Sequence, residues 1–134
     1  MSRSDPHRDE PSGRFAYDGL DRVIHEKARL GIITSLAAHA DGLVFGELKE
    51  LCALTDGNLS RHLQVLQEAG LVEVWKRTRG KRPQTLVRLS DSGRQRFLEY
   101  VSVLEQVVAD ASEAATVREK SAGRRRFGTG WSPV

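Results

Sequence analysis

Between Thr55 and Val72 the sequence reads TDGNLSRHLQVLQEAGLV, and this stretch restricts the fold more than any other. Leu59, Leu63 and Leu66 recur at four and three residues, the spacing that puts apolar side chains on one side of a helix. Asn58, Ser60, Arg61, Gln64 and Gln67 fall on the other side. Thr55 is placed to cap the first turn through its hydroxyl. Gly70 stands where a left-handed residue ends a helix, and Leu71 can fold back on the last turn. Taken alone, such a helix is either a wet surface helix or a rod whose polar side reads base edges in a major groove.

The rest of the chain limits the alternatives. It has 134 residues, enough for one domain with tails. Its formal net charge of +3 is a mild excess, so the position of the charge matters more than its size. Cys52 is the single cysteine, which excludes an internal disulfide and fits a cytoplasmic setting. The start, MSRSDPHRDE, has no apolar stretch of the kind a signal peptide needs. No apolar run approaches the about 20 residues of a membrane span. A soluble protein of the cytoplasm with no membrane partner is expected.

Residues 1–17 read as a flexible N-terminal tail, being polar and without periodicity. Leu20, Val23 and Ile24 predict a short helix, broken near His25-Glu26. A longer helix follows, with Ala28, Ile32, Ile33, Leu36 and Ala37 inward, and Asp41-Gly42 stops it. Leu43-Val44-Phe45 suggests a small edge strand. The run from Phe45 to Leu51 predicts a helix with Leu48 and Leu51 inward. Only Ala53 to Thr55 separate it from the Leu59 helix, so the pair reads as a helix-turn-helix. After Gly70 the period falls to two. Leu71, Val72, Val74 and Trp75 predict one strand, and Thr85, Leu86, Val87 and Leu89 another. The intervening Lys76 to Pro83 reads as a loop with five basic residues and no acid, turned at Gly80. Ser90 caps a long helix to about Val117, where Phe97, Val101, Leu104, Val108, Ala111 and Ala115 make a near-heptad seam. A basic tail, 119–134, containing Arg124-Arg125-Arg126, reads as disordered.

This ordered set resembles a winged helix-turn-helix transcriptional regulator of the ArsR and MarR superfamily. The run LSRHLQVLQEAGLVEVWKRTRGKRPQTLVRLSDSGRQRF is similar to the recognition-helix-and-wing block of that superfamily, and LDRVIHEKARLGIITSL to its opening helices. Within it the chain is most similar to the small MarR-like "winged helix DNA-binding domain" family. The resemblance spans about residues 20 to 105. It implies a mainly α fold with a small β-hairpin wing (α+β), in a domain over 18–118 that ends in a long dimerisation helix. It also implies a homodimer that binds operator DNA and represses or modulates transcription. The metal-sensing members carry clustered cysteines, histidines or carboxylates. Here Cys52 stands alone and His7, His25, His39 and His62 are scattered, so no metal or other cofactor is expected. Cys52 reads as a core filler, and His62 as a packing or phosphate-touching residue.

Three sets of site residues follow. Thr55, Gly57, Asn58, Ser60, Arg61 and Gln64 are expected at DNA from the recognition helix; Arg61 suits either a guanine edge or a phosphate. Asp56 and Gly57 permit close approach of backbone amides to phosphate. Lys76, Arg77, Arg79, Lys81 and Arg82 of the wing are expected on phosphates or in an adjacent minor groove. Leu20, Val23, Ile24, Phe97, Tyr100, Val101, Leu104, Val107, Val108 and Ala111 are expected at the dimer interface. The long helix is apolar on more than one side, more than a small isolated domain can bury. No nucleophile–base set, glycine-rich phosphate loop or paired carboxylates point to an enzyme. Two other readings stay open. One is a regulator gated by an unknown small-molecule effector in a crevice lined by Trp75, Phe97 and Tyr100. The other is a winged helix used for protein or RNA contact.

Overall fold

The structure, a computed structural model, describes residues 13–120 and 130–134. The expected tail residues 1–12 and the basic run Arg124 to Arg126 lie outside the described residues. The elements in order are α1 (Lys27–Ala38), β1 (Leu43–Val44), α2 (Phe45–Cys52), α3 (Asp56–Glu68), β2 (Val72–Arg79), β3 (Arg82–Leu89) and α4 (Asp91–Lys120). The three strands form one antiparallel sheet in the order β1-β3-β2.

Helices α1, α3 and α4 each begin where a side chain satisfies free amides, whereas α2 follows Val44 with no side-chain cap. At α1 the Glu26 carboxylate accepts from Ala28 N–H at 3.1 Å and Arg29 N–H at 2.8 Å. At α3 the Thr55 hydroxyl accepts from Asn58 N–H at 3.1 Å. At α4 the Ser90 hydroxyl accepts from Gly93 N–H at 2.9 Å. The end of α3 follows the Schellman pattern. Leu71 N–H donates to Leu66 O at 2.9 Å and Gly70 N–H to Gln67 O at 3.0 Å, with Gly70 at φ 74°.

The core sits between the helices and one face of the sheet. Ile32, Ile33 and Leu36 of α1, Leu48 of α2, and Leu59, Leu63 and Leu66 of α3 meet there with Leu71, Val72, Val87 and Leu89. Burying a side chain of this kind contributes about 1.5–3 kcal/mol, so the three leucines are what hold α3 in place.

Several expectations change. Residues 20–26 form turns rather than a helix. The Asp21 carboxylate takes the Val23 and Ile24 amides, and Glu26, in extended backbone, restarts the chain as the α1 cap. One turn so interrupted cannot propagate. Leu51 is 59 % exposed, not inward. Phe45, Leu48 and Cys52 make the inward side of α2, and Leu51, beside that stripe, lies along an open groove between α1 and α2. Phe45, read both as the last residue of the edge strand and as the first of the helix, belongs to the helix, and the strand is Leu43–Val44. Residues 13–17 are not a free tail. Arg14 and Tyr17 are bonded to Asp110 of α4, and Phe15, largely exposed, lines a shallow cleft with Ala114 and Val117 of the same helix.

Candidate nucleic-acid interface

The leucine seat of α3 leaves Gly57, Asn58, Ser60, Arg61, Gln64 and Gln67 exposed, together with the cap Thr55. Arg61 Nη2 donates to Asn58 Oδ1 at 3.3 Å, a long bond between exposed groups that a better acceptor can replace. Gln64 donates to Glu68 at 3.3 Å in the same way. The short connection from α2 turns at Ala53, whose φ of 53° and ψ of 48° are left-handed, and Lys49 Nζ meets Asp56 Oδ1 at 2.9 Å across it. His62 does not join the exposed face. It turns toward the start of α1, with Nδ1 3.8 Å from Glu26 Oε2 and 3.4 Å from Arg29 Nη1.

The wing differs from the loop expected at 76–83. Its strands run on to Arg79 and from Arg82, and only Gly80 and Lys81 turn between them. Gly80, at φ 64°, supplies the first turn position. The basic residues therefore stand on strands. Alternation puts Arg77, Arg79 and Arg82 on one face and Lys76 on the other, with Lys81 at the tip. Arg79 pairs directly with Arg82, and Arg77 Nε donates to Gln84 at 2.9 Å. Like charges opposite each other in a ladder are unfavourable, and a polyanion relieves them. Lower on the same face Trp75 is 53 % exposed, with the Arg88 guanidinium 5.6 Å from its ring centre. Arg88 in turn donates to Glu73 at 2.8 Å.

The residues expected at a dimer interface divide. Leu20, Val23, Phe97, Val101, Leu104 and Val107 are half-buried, Val108 is 60 % exposed and Ala111 is exposed. Ile24 and Tyr100 are corrected: both are already buried in the chain's own core, Tyr100 to 1 % exposure. Tyr100 shares a 2.6 Å hydrogen bond with His25 Nδ1 and stacks on Phe97, and its burial pushes the phenol pKa up. It is thus unavailable to line an effector crevice, and Trp75 stands apart on the wing. Among the described residues no three of His, Cys, Asp and Glu are grouped to hold a metal. Cys52 is half-buried, its sulfur 3.7 Å from Ser35 Oγ.

Two ionic contacts escaped the sequence. Arg14 grips Asp110 with both terminal nitrogens, at 3.0 and 2.8 Å, and the Tyr17 hydroxyl adds a third bond at 2.6 Å. Together they hold the Asp110 carboxyl far below the usual carboxylate range, although burial pushes it up. The sequence shows only an acid set among Val107, Val108, Ala109 and Ala111, which marks Asp110 as unusual without pointing to its partner. The second contact joins Arg96 to Asp21, at 3.0 and 2.6 Å. Burial raises the Asp21 carboxyl, but the bonds from Arg96 and from the Val23 and Ile24 amides bring it below its ordinary value.

A family model described as "winged helix DNA-binding domain" matches residues 28–108. An uncharacterized protein of Methanocaldococcus jannaschii is 40 % identical over 63 residues, covering 47 % of this chain and 68 % of the relative. The transcriptional regulator homologue protein from Pyrococcus horikoshii OT3 superposes with a TM-score of 0.64 at 30 % identity, over 68 % of this chain and 89 % of that one. NadR in complex with 4-hydroxyphenylacetate superposes at 0.57 with 25 % identity, over 76 % and 70 %. No described helix is long and apolar enough to cross a membrane.

Proposed function

The chain belongs to the winged helix DNA-binding domain family, and from that premise we propose that it is a transcriptional repressor, binding operator DNA sequence-specifically as a homodimer. The observation that carries this reading is the hairpin, whose Arg79 and Arg82 face each other next in line after Arg77, beyond a helix that presents Asn58, Ser60, Arg61 and Gln64 to solvent. In this reading α3 lies in the major groove. Its capped start offers amides to a phosphate, and Arg61 and its neighbours touch base edges. The wing arginines and lysines neutralise phosphates at the flank and release counterions. The second copy packs on α4, which exposes Leu98 and Val108, and sets the two half-sites about 34–36 Å apart.

The test is a gel shift on a duplex spanning the region upstream of the protein's own gene, against an unrelated duplex. Specific retention about 10³-fold tighter than the unrelated duplex is expected. No retention of either duplex even at about 50 mM salt refutes the reading. Val108→Glu alters a position already exposed in the single chain, so it should dissociate the dimer without unfolding it. Sedimentation of the variant at the parent's mass refutes the α4 interface. Gating by a small molecule is a second reading, supported by the 4-hydroxyphenylacetate held in NadR. A thermal-shift screen of aromatic carboxylates tests it, and no stabilisation by any of them removes it.

A further inference from the structure

The start of α4 is bonded to the end of α3 through four donors. Ser90 Oγ and Ser92 Oγ both donate to the Gly70 carbonyl oxygen, at 2.6 and 2.8 Å. Arg96 Nη1 donates to the Ala69 carbonyl at 3.1 Å, and Ser90 N–H to the Leu71 carbonyl at 3.0 Å. Four donors from one short segment thus converge on three consecutive carbonyls. These lie at the negative end of the α3 dipole, where a guanidinium is favoured. Arg96 is itself fixed, because Asp21 takes its Nε and its other terminal nitrogen. One side chain therefore joins the 20–26 turn, α4 and the end of α3. The planar fork of arginine is what allows all three bonds at once.

We propose that Arg96 is a positioning residue for DNA binding: anchored by Asp21, it fixes the tilt of α3 against α4, and so the separation at which a symmetric pair presents its two α3 helices. The inference rests on the operator-binding dimer proposed above. Geometry gives its scale. At 1.5 Å per residue α3 is about 20 Å long, so a tilt of about 5° about its C-terminal end moves its start by about 1.7 Å. In a two-fold pair the displacements add to about 3.4 Å, one base step along a DNA strand. The leucine seat keeps α3 folded when Arg96 is lost, whereas the spacing between half-sites is no longer enforced.

The experiment uses the full chain and a duplex recovered by the parent protein from a random pool, with its centre then shortened by one base pair or lengthened by one or two. The parent should show one preferred spacing, with about tenfold weaker binding one base pair away. Arg96→Lys, which keeps the charge but not the fork, and Asp21→Asn, which frees the guanidinium, should flatten that profile to within about threefold. Their binding to a single half-site should stay within about twofold of the parent's. Sedimentation and thermal unfolding verify that both variants remain dimeric and folded. Folded variants that keep the parent's spacing profile overturn the inference. So does an equal loss at every spacing, because a merely structural arginine would give that result. A parent that binds no duplex refutes the operator reading itself, a failure distinguishable from these two.

Discussion

Replacing Gly93 by alanine sets two effects of opposite sign against each other. Inside a helix alanine is favoured over glycine by about 0.8–1 kcal/mol. Gly93 is the third residue of α4, so this gain is at most that large. Against it, a methyl group at Gly93 collides with the Leu71 carbonyl oxygen and stands 2.8 Å from the carbonyl carbon and 3.0 Å from Cα. All three atoms are backbone, so no rotamer change relieves the contact. The start of α4 must retreat from the start of β2. That retreat strains packing by about 1–3 kcal/mol. It also stretches the Ser90 bonds to Leu71 and Gly70, each contributing about 1 kcal/mol. The net loss should be about 2–4 kcal/mol, a fall in Tm of roughly 10–25 °C for a domain of about 100 residues. Thermal unfolding followed by circular dichroism, with urea titration at constant slope, measures it. Gly57→Ala is the control. Nothing lies within 4 Å of an added methyl there, so only propensity acts and stability should hold or rise slightly. A Gly93→Ala protein as stable as its parent would refute the close approach of α4 to Leu71.

Three further outcomes are expected. Arg61→Ala should weaken operator binding by about 1–3 kcal/mol and relax preference at one or two base positions; an equal loss on all sequences would make Arg61 a phosphate contact only. Arg79→Ala or Lys81→Ala should lower the slope of log affinity against log salt by about 0.9 for each phosphate released, and an unchanged slope removes that residue from the interface. The depressed Asp110 carboxyl stabilises the folded chain above the unfolded value of about 3.9, and that contribution fades as pH falls through the lower folded value. Asp110→Asn should therefore be less stable than the parent near neutrality, with the gap narrowing steadily as pH falls below about 4. A gap that stays constant over that range would show that the carboxylate's charge is not the source.

What the sequence disclosed follows the range of the interactions involved. The α3 helix was legible to its caps, because Thr55, the leucine spacing and Gly70 all act within a turn or two. The hairpin was legible as two strands but not in its length. Lys76 to Arg82 carry no apolar alternation, and only the backbone ladder and the turn at Gly80 extend the pairing. Short-range rules also overreached at Leu20 to Ile24, where Asp21 draws the amides away from a helix, and at Leu51, whose expected inward place is taken by Cys52, four residues after Leu48. Periodicity marks Ile24 and Tyr100 as apolar without saying whether their neighbours come from the same chain. The bonds from Arg14 to Asp110 and from Arg96 to Asp21 join residues 96 and 75 positions apart, beyond the reach of any local pattern.

The Arg14–Asp110 clasp has a consequence for synthesis. Its acceptor is synthesised 96 residues after its donor, so Arg14 to Tyr17 stay unanchored until α4 has been made as far as Asp110. A product truncated before residue 110 keeps every group proposed to meet DNA, yet it leaves Arg14 to Tyr17 open to proteases. Nicking at that stretch therefore separates chains without the Asp110 clasp from chains that have it.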